Sequence, residues 1–308
     1  MAYDRSDPRQ SLASSATRNA GANVAPQYFE FDKHVPTKTT NGGSRLWWAR
    51  SQAGVINFVR ANAGDPIVRT GQLDEYMVVF PTRGARATMT HGDDVKSVVG
   101  PAVIVMPPGD TQLVTDVDAE VIRVFSAQSS DLCSLCENDD FYATADPNVA
   151  PYSAWPAPPA GYHIRAYPID DAPIEAGRFG RIYRCSTIMI NYLSDVVGPR
   201  DVTKMSPHHH DDFEQLSLQL SGEYVHHIRT PWTVNMAEWR DDEHQFCTSP
   251  SVTVIPPPSV HTSQAVGLEC NQLIDIFCPP RYDFSAQPGW VLNADEYPAP
   301  KDVILAAR

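Results

Sequence analysis

The chain is 308 residues long, 42% hydrophobic and 20% charged, the proportions of an ordinary folded protein rather than a disordered, collagen-like or coiled-coil one. With 24 basic and 37 acidic residues the formal net charge is −13, which opposes binding to a phosphate backbone and argues against nucleic acid as a partner. No apolar run of about 18 residues occurs, so neither a membrane span nor a membrane partner is expected.

In chain order, residues 1–25 are polar and lack the continuous apolar stretch of a secretory signal; they read as a flexible arm. A cytoplasmic protein is therefore expected, with Cys133, Cys136, Cys185, Cys247, Cys270 and Cys278 as thiols. Residues 26–138 carry short apolar runs bounded by Pro, Gly or Asp: Val78-Val79-Phe80, Val103-Ile104-Val105-Met106 and Val121-Ile122-Arg123-Val124-Phe125. These predict strands. Cys133 and Cys136 form a CxxC with no second pair to complete a zinc ribbon, and are read as incidental. Residues 139–162 open a proline-rich stretch that runs on to Pro173. It reads as a linker, packed on the surface through Tyr152, Trp155 and Tyr162. Residues 163–308 return to strands: Ile188-Met189-Ile190, Val252-Thr253-Val254-Ile255 and Leu273-Ile274-Asp275-Ile276-Phe277. No helical stripe of about 15 residues is evident. An all-β sandwich or barrel is the expected class.

The two halves are alike. Val103–Gln112 (VIVMPPGDTQ) parallels Val252–His261 (VTVIPPPSVH), and VIRVF at 121–125 parallels LIDIF at 273–277. Upstream, Glu75 opens EYMVVF before Gly84 as Gln215 opens QLSLQL before Gly222. A near-constant offset between these landmarks argues for a duplicated domain.

The chemistry concentrates in the second copy. In an extended segment His208 and His210 point the same way, so two imidazoles can grip one ion, with His261 supplying a later ligand. A surface loop of three histidines with adventitious metal affinity is the alternative. The pattern His208-x-His210, Gln215 after four residues, Gly222 after six more, then Pro256-x-Pro258-x-x-His261, resembles the double motif of the cupin superfamily. With the repeat, the chain resembles a bicupin. That resemblance implies two tandem double-stranded β-helix (jelly-roll) barrels and one divalent metal per chain, Fe(II) favoured over Mn, Ni, Cu or Zn. It implies His208, His210, His261 and Gln215 as the metal set.

Three departures from the family pattern stand out. Gln215 occupies the family's acid position; spacing and the Leu216/Leu218/Leu220 alternation select it, while a bulge after His-His-His-Asp-Asp would bring in Glu214 instead. Pro258 replaces the usual Gly, and Ala265 the usual Asn. In the first copy, the ligand positions counted back from Glu75 hold Val68, Thr70 and, later, Gln112, so no metal is expected there.

Glu214, Tyr224 and His226 are the candidate catalytic groups around the ion. Arg229 is either a carboxylate clamp or a surface ion-pair partner. His244 is expected in solvent, and Trp232, Trp239 and Phe246 either roof the pocket or pack in a core. The function expected is a non-haem iron dioxygenase acting on a small, anionic carboxylate, enol or phenol. The alternatives are a redox-neutral lyase or isomerase and a non-catalytic binding protein. Because the Leu216/Leu218/Leu220 face needs cover from the other barrel or a second subunit, a homodimer is expected.

Overall fold

A computed structural model describes residues 23–172 and 180–300. Nearly all of the expected arm, and Pro173, lie outside them. The alternating apolar runs form strands as expected, arranged as two barrels, each a large sheet facing a small one.

In the first barrel the small sheet runs Ile67–Gln72, Gly109–Thr115, Arg86–His91, Asp94–Val99. Its large sheet contains Ala102–Met106, Tyr76–Phe80, Ala119–Ser126, Gly54–Ala61 and Arg45–Arg50. In the second barrel the small sheet is Glu243–Thr248, Glu223–Arg229, Val260–Ala265, and the large one contains Ser251–Ile255, Gln215–Ser221, Cys270–Phe277, Met189–Tyr192 and Arg181–Arg184.

Each large sheet borrows its edge from the other half. Gln27–Glu30 pairs antiparallel with Ser251–Ile255, and Arg165–Pro168 with Ala102–Met106. The sheets thus cross the boundaries drawn on the sequence, since 27–30 falls within 26–138 and 165–168 within 163–308. The proline-rich stretch lies against both halves. Trp155 is buried, stacked on Tyr282 and under the Arg184 guanidinium, and Tyr152 packs at the edge of the shared core. Tyr162, by contrast, is exposed: the chain turns outward at Gly161, whose φ is +79°.

Strand alternation sorts every large-sheet residue to one of two places. Leu216, Leu218 and Leu220 join Ile56, Phe58, Met77, Val79, Ile122 and Val124 in one core between the barrels. The leucine face is covered within the chain and gives no reason for a second subunit. The other parity faces the lumens. In the first barrel these positions are mostly apolar, including Val55, Val78, Val121 and Phe125. In the second they are polar: Gln215, Ser217, Gln219, Asn191 and Asp275 are all buried.

The register also corrects the alignment of the two halves. Val78 lies opposite Arg123 as Ser217 lies opposite Asp275. Tyr76, not Glu75, is therefore the counterpart of Gln215, and Glu75 is the counterpart of Glu214. Val68, Thr70 and Gln112 are exposed, with Gln112 paired to Val68 on the outside. The luminal places are held by Thr111 and Tyr76, whose hydroxyls are 2.8 Å apart.

Both acids turn toward the opposite half. Glu75 accepts from the N–H and hydroxyl of Ser186 (3.2 and 2.7 Å) and from the Tyr297 hydroxyl (2.7 Å). Glu214 accepts from the Gln52 N–H at 2.6 Å and the Tyr142 hydroxyl at 3.3 Å. Gln52 and Ser186 occupy matching hairpins, closed by Ser51 N–H to Gly54 and Cys185 N–H to Ile188.

Burial pushes the Glu214 carboxyl up to about 7, against the lowering effect of the Gln52 and Tyr142 hydrogen bonds. A raised acid pKa contributes stability that is full below the unfolded value near 4.5 and is lost as pH rises toward 7. Glu214→Gln, which keeps an oxygen for Gln52, is expected to flatten that decline. Its stability relative to wild type should improve between pH 4 and pH 8 by on the order of 1 to 3 kcal/mol in urea melts. An unchanged difference across that range would contradict the assignment.

Candidate metal centre

His208, His210 and His261 converge, all buried, with one ring nitrogen of each within 4.8 Å of the others. His208 is not in a regular strand. It makes a single antiparallel bridge with His261, through N–H···O contacts of 3.0 and 2.7 Å, and this bridge brings two distant parts of the motif together. The middle histidine points elsewhere: His209 Nε2 is 3.3 Å from Asp211.

Backbone carbonyls fix two of the rings. His208 Nδ1 is 2.9 Å from the Ser206 oxygen and His261 Nδ1 is 2.9 Å from the Ser259 oxygen. A carbonyl only accepts, so each Nδ1 carries the proton and each Nε2 offers its lone pair, the arrangement a metal-binding imidazole needs. His210 differs. Its Nε2 is 2.8 Å from Gln215 Oε1, while its Nδ1 faces Arg281 Nη1 at 3.3 Å. Burial first, then the Arg281 guanidinium, holds its pKa well below the ordinary imidazole value, so it is neutral. Ligation through His210 Nε2 requires the proton to sit on Nδ1 and Arg281 to turn aside toward Asp283, to which it already donates.

Gln215 lies against the three histidines. Its Nε2 donates to Asp275 Oδ1 (2.8 Å) and Ser217 Oγ (2.9 Å). A carboxylate fixes which end of an amide is nitrogen. Gln215 Oε1 is thereby aimed at the histidines, 2.8 Å from His210 Nε2 and 3.3 Å from His261 Nε2. Three imidazoles and one amide oxygen fit a divalent cation, and all four donors are neutral.

A cavity of about 210 Å³ opens beside this cluster, lined by His208, Gln215, His261, Asp275, Thr262 and Arg200 among others. The Thr262 hydroxyl is buried with no hydrogen-bond partner among the described residues. The Arg200 guanidinium is held in place by the Ser263 and Lys204 carbonyls (3.1 and 2.8 Å) and the Ser206 hydroxyl at 3.0 Å. Sequence reasoning missed Arg200 and Asp275. The signals available were a basic residue in the Gly198-Pro199 loop leading to the histidines, and a lone acid in an otherwise apolar strand.

The remaining candidates lie farther out. Glu214 is on the opposite face, at the interface between the barrels. His226 is fully buried, hydrogen-bonded to Ser263 Oγ at 2.9 Å and to Gln219, with its pKa drawn down to about 3 by burial. Tyr224 stacks on His226 at 6.5 Å and packs with Ala265 and Leu273. Arg229 pairs with Asp242 on the surface, and His244 is exposed, 2.7 Å from His227 Nδ1. Trp232 and Trp239 neither roof the pocket nor enter a core. They stack on each other at 4.5 Å in an exposed loop, and Phe246 is exposed too. The CxxC thiols are buried and directed at the Ala127 and Leu132 carbonyls.

No protein-family model and no curated protein sequence matches the chain. Solved structures do match. Oxalate decarboxylase from Lactobacillus farciminis, in a formate complex, aligns over 92% of this chain and 97% of its own, with a TM-score of 0.57 and 14% identity. Bacillus subtilis oxalate decarboxylase, studied for its Mn(II) centres, aligns over 94% and 88%, with a TM-score of 0.54 and 15% identity. AerE from Microcystis aeruginosa aligns over 80% and 98%, with a TM-score of 0.54 and 8% identity. The chain has the all-β bicupin fold.

Among the described residues only the second barrel gathers three such ligands. Purified protein reconstituted without an affinity tag is expected to hold one equivalent of divalent metal by elemental analysis. His208→Ala should lose most of it and Gln112→Ala none. Two equivalents per chain would overturn this assignment.

Proposed function

We propose that the second barrel is the active centre of a metal-dependent, redox-neutral enzyme, a lyase or isomerase, that acts on a small carboxylate. The observation that carries this reading is the Gln215 amide, turned by Asp275 so that its oxygen joins three histidine nitrogens. A wholly neutral donor set leaves the charge of a bound ion undiminished, and such an ion supplies Lewis acidity toward an anionic substrate.

The chain's own groups supply the rest. Arg200 stands at the cavity wall with its guanidinium already oriented, suited to receive a carboxylate. His226 reaches the wall through Ser263 Oγ and can relay a proton there, with Tyr224 stacked behind it. Glu214 acts at a distance, by fixing the strand from which Gln215 projects.

The neighbours whose activity is named are decarboxylases, one described with Mn(II) centres, and this favours the redox-neutral reading over an iron dioxygenase. Mn(II) is accordingly the first ion to assay.

The test is turnover of a panel of small mono- and dicarboxylates by the Mn(II)-loaded protein, with oxygen followed by electrode. Turnover without stoichiometric oxygen uptake is expected; one O2 consumed per turnover would restore the dioxygenase reading. Gln215→Ala should lower turnover at least about tenfold, the scale of losing a ligand or its support. Glu214→Gln should have a milder effect. Arg200→Met should raise KM by about tenfold or more with metal content unchanged, the loss of a charge-assisted hydrogen bond. Full activity in Gln215→Ala with loss in Glu214→Gln would move the site to the other face of the strand.

A further inference from the structure

The first barrel holds no metal set among the described residues, but its lumen is not inert. One rung across its large sheet, fixed by the strand register, is Trp48, Asn57, Arg123 and Val78. Arg123 is 3% exposed in this otherwise apolar interior. Its Nε donates to Asn57 Oδ1 at 2.8 Å, and Nη1 reaches the Val68 carbonyl only at 3.5 Å. No carboxylate forms an ion pair with it among the described residues. The Arg69 guanidinium flanks the same Phe125 ring, at 5.9 Å against 5.5 Å for Arg123, and is paired with Asp131. The Asp131 carboxylate is therefore engaged by Arg69 and not by Arg123. The Trp48 indole, 5.7 Å from the Arg123 guanidinium carbon, is also 3% exposed, and its N–H has no acceptor among the described residues.

We propose that the lumen of the first barrel is a binding site for a small anion, a halide or a one-carbon carboxylate, held by the Arg123 guanidinium and the Trp48 N–H. A buried guanidinium without a counter-ion and a buried N–H without an acceptor are independently costly, and one anion between them relieves both. Burial draws the Arg123 pKa down to about 10, the mark of a desolvated and uncompensated charge. The packed lumen around the rung, with Val55, Val121, Phe125 and Met89 fully buried, limits the ligand to a few heavy atoms. Arg123 stands where the second barrel has Asp275: one barrel builds in a cation to take an anion, the other gathers donors to take a cation.

The experiment is thermal melting of the full-length, metal-stripped protein in sodium chloride and in sodium formate, against sodium sulfate at matched ionic strength. At least one of the first two is expected to raise the melting temperature in proportion to the logarithm of its concentration. The rise should vanish in Arg123→Met, need about tenfold more anion in Trp48→Phe, and persist in His208→Ala. No anion-specific rise in the wild type overturns the proposal. So does a rise unaltered in both Arg123→Met and Trp48→Phe, and a rise lost in His208→Ala assigns the anion to the other barrel. If Arg123→Met fails to fold, crystals of the wild type soaked in bromide and in formate decide: an anomalous peak or a bound formate between Arg123 and Trp48 supports the site, and neither there overturns it.

Discussion

Two carboxylates that cross between the barrels set the geometry on which the site depends. Glu214 is pinned at the interface by the Gln52 N–H, and Glu75 by the matching Ser186 N–H. Each acid immediately precedes the residue that enters its lumen. With Glu214 held outside, strand alternation leaves Gln215 only the inside, and Leu216, Leu218 and Leu220 anchor the same parity in the shared core. A slip of one residue would place leucines in the lumen and amides in the apolar layer. The register is therefore protected both by hydrogen bonds to a buried acid and by the burial of three large side chains.

Within that frame, the two lumens have diverged at equivalent places. Asp275 and Arg123 lie on corresponding strands, opposite Ser217 and Val78. In the second barrel the negative group draws the amide nitrogen of Gln215 and so presents its oxygen to the histidines. In the first, the positive group takes up an asparagine oxygen and stands among aromatic rings. The reversal of charge at this rung accompanies the loss of the histidines and of the Gln215 amide, whose place Tyr76 takes, while the strand pairing that carries the rung is the same in both barrels.

Much of this was legible in the sequence. The short apolar runs gave the strands, because strand burial is a local, period-two property, and the His208-x-His210 and His261 spacings pointed to the cluster. The inward turn of Gln215 was legible from the leucine alternation beside it. What was not legible depended on pairing between distant segments. The alignment of Glu75 with Gln215 was one residue out, because loop lengths hide register and only the Val78–Arg123 and Ser217–Asp275 pairs reveal it. Arg200 and Asp275 carry no local pattern; their roles come from the cavity that they share. Trp232 and Trp239 satisfy each other by stacking at the surface, which composition cannot distinguish from burial.

The exchange of edge strands has a consequence for how the chain is made. Gln27–Glu30 is made long before its pairing partner Ser251–Ile255, with the whole first barrel between them in sequence. The first barrel meanwhile presents Ala102–Met106 as an open edge until Arg165–Pro168 arrives to cover it. Each large sheet lacks one edge strand until the other half supplies it, so Gln27–Glu30 waits unpaired while the first barrel forms. Folding of the chain is set by contacts remote in sequence, a slow regime in which an exposed edge on one chain can be capped by the waiting strand of another.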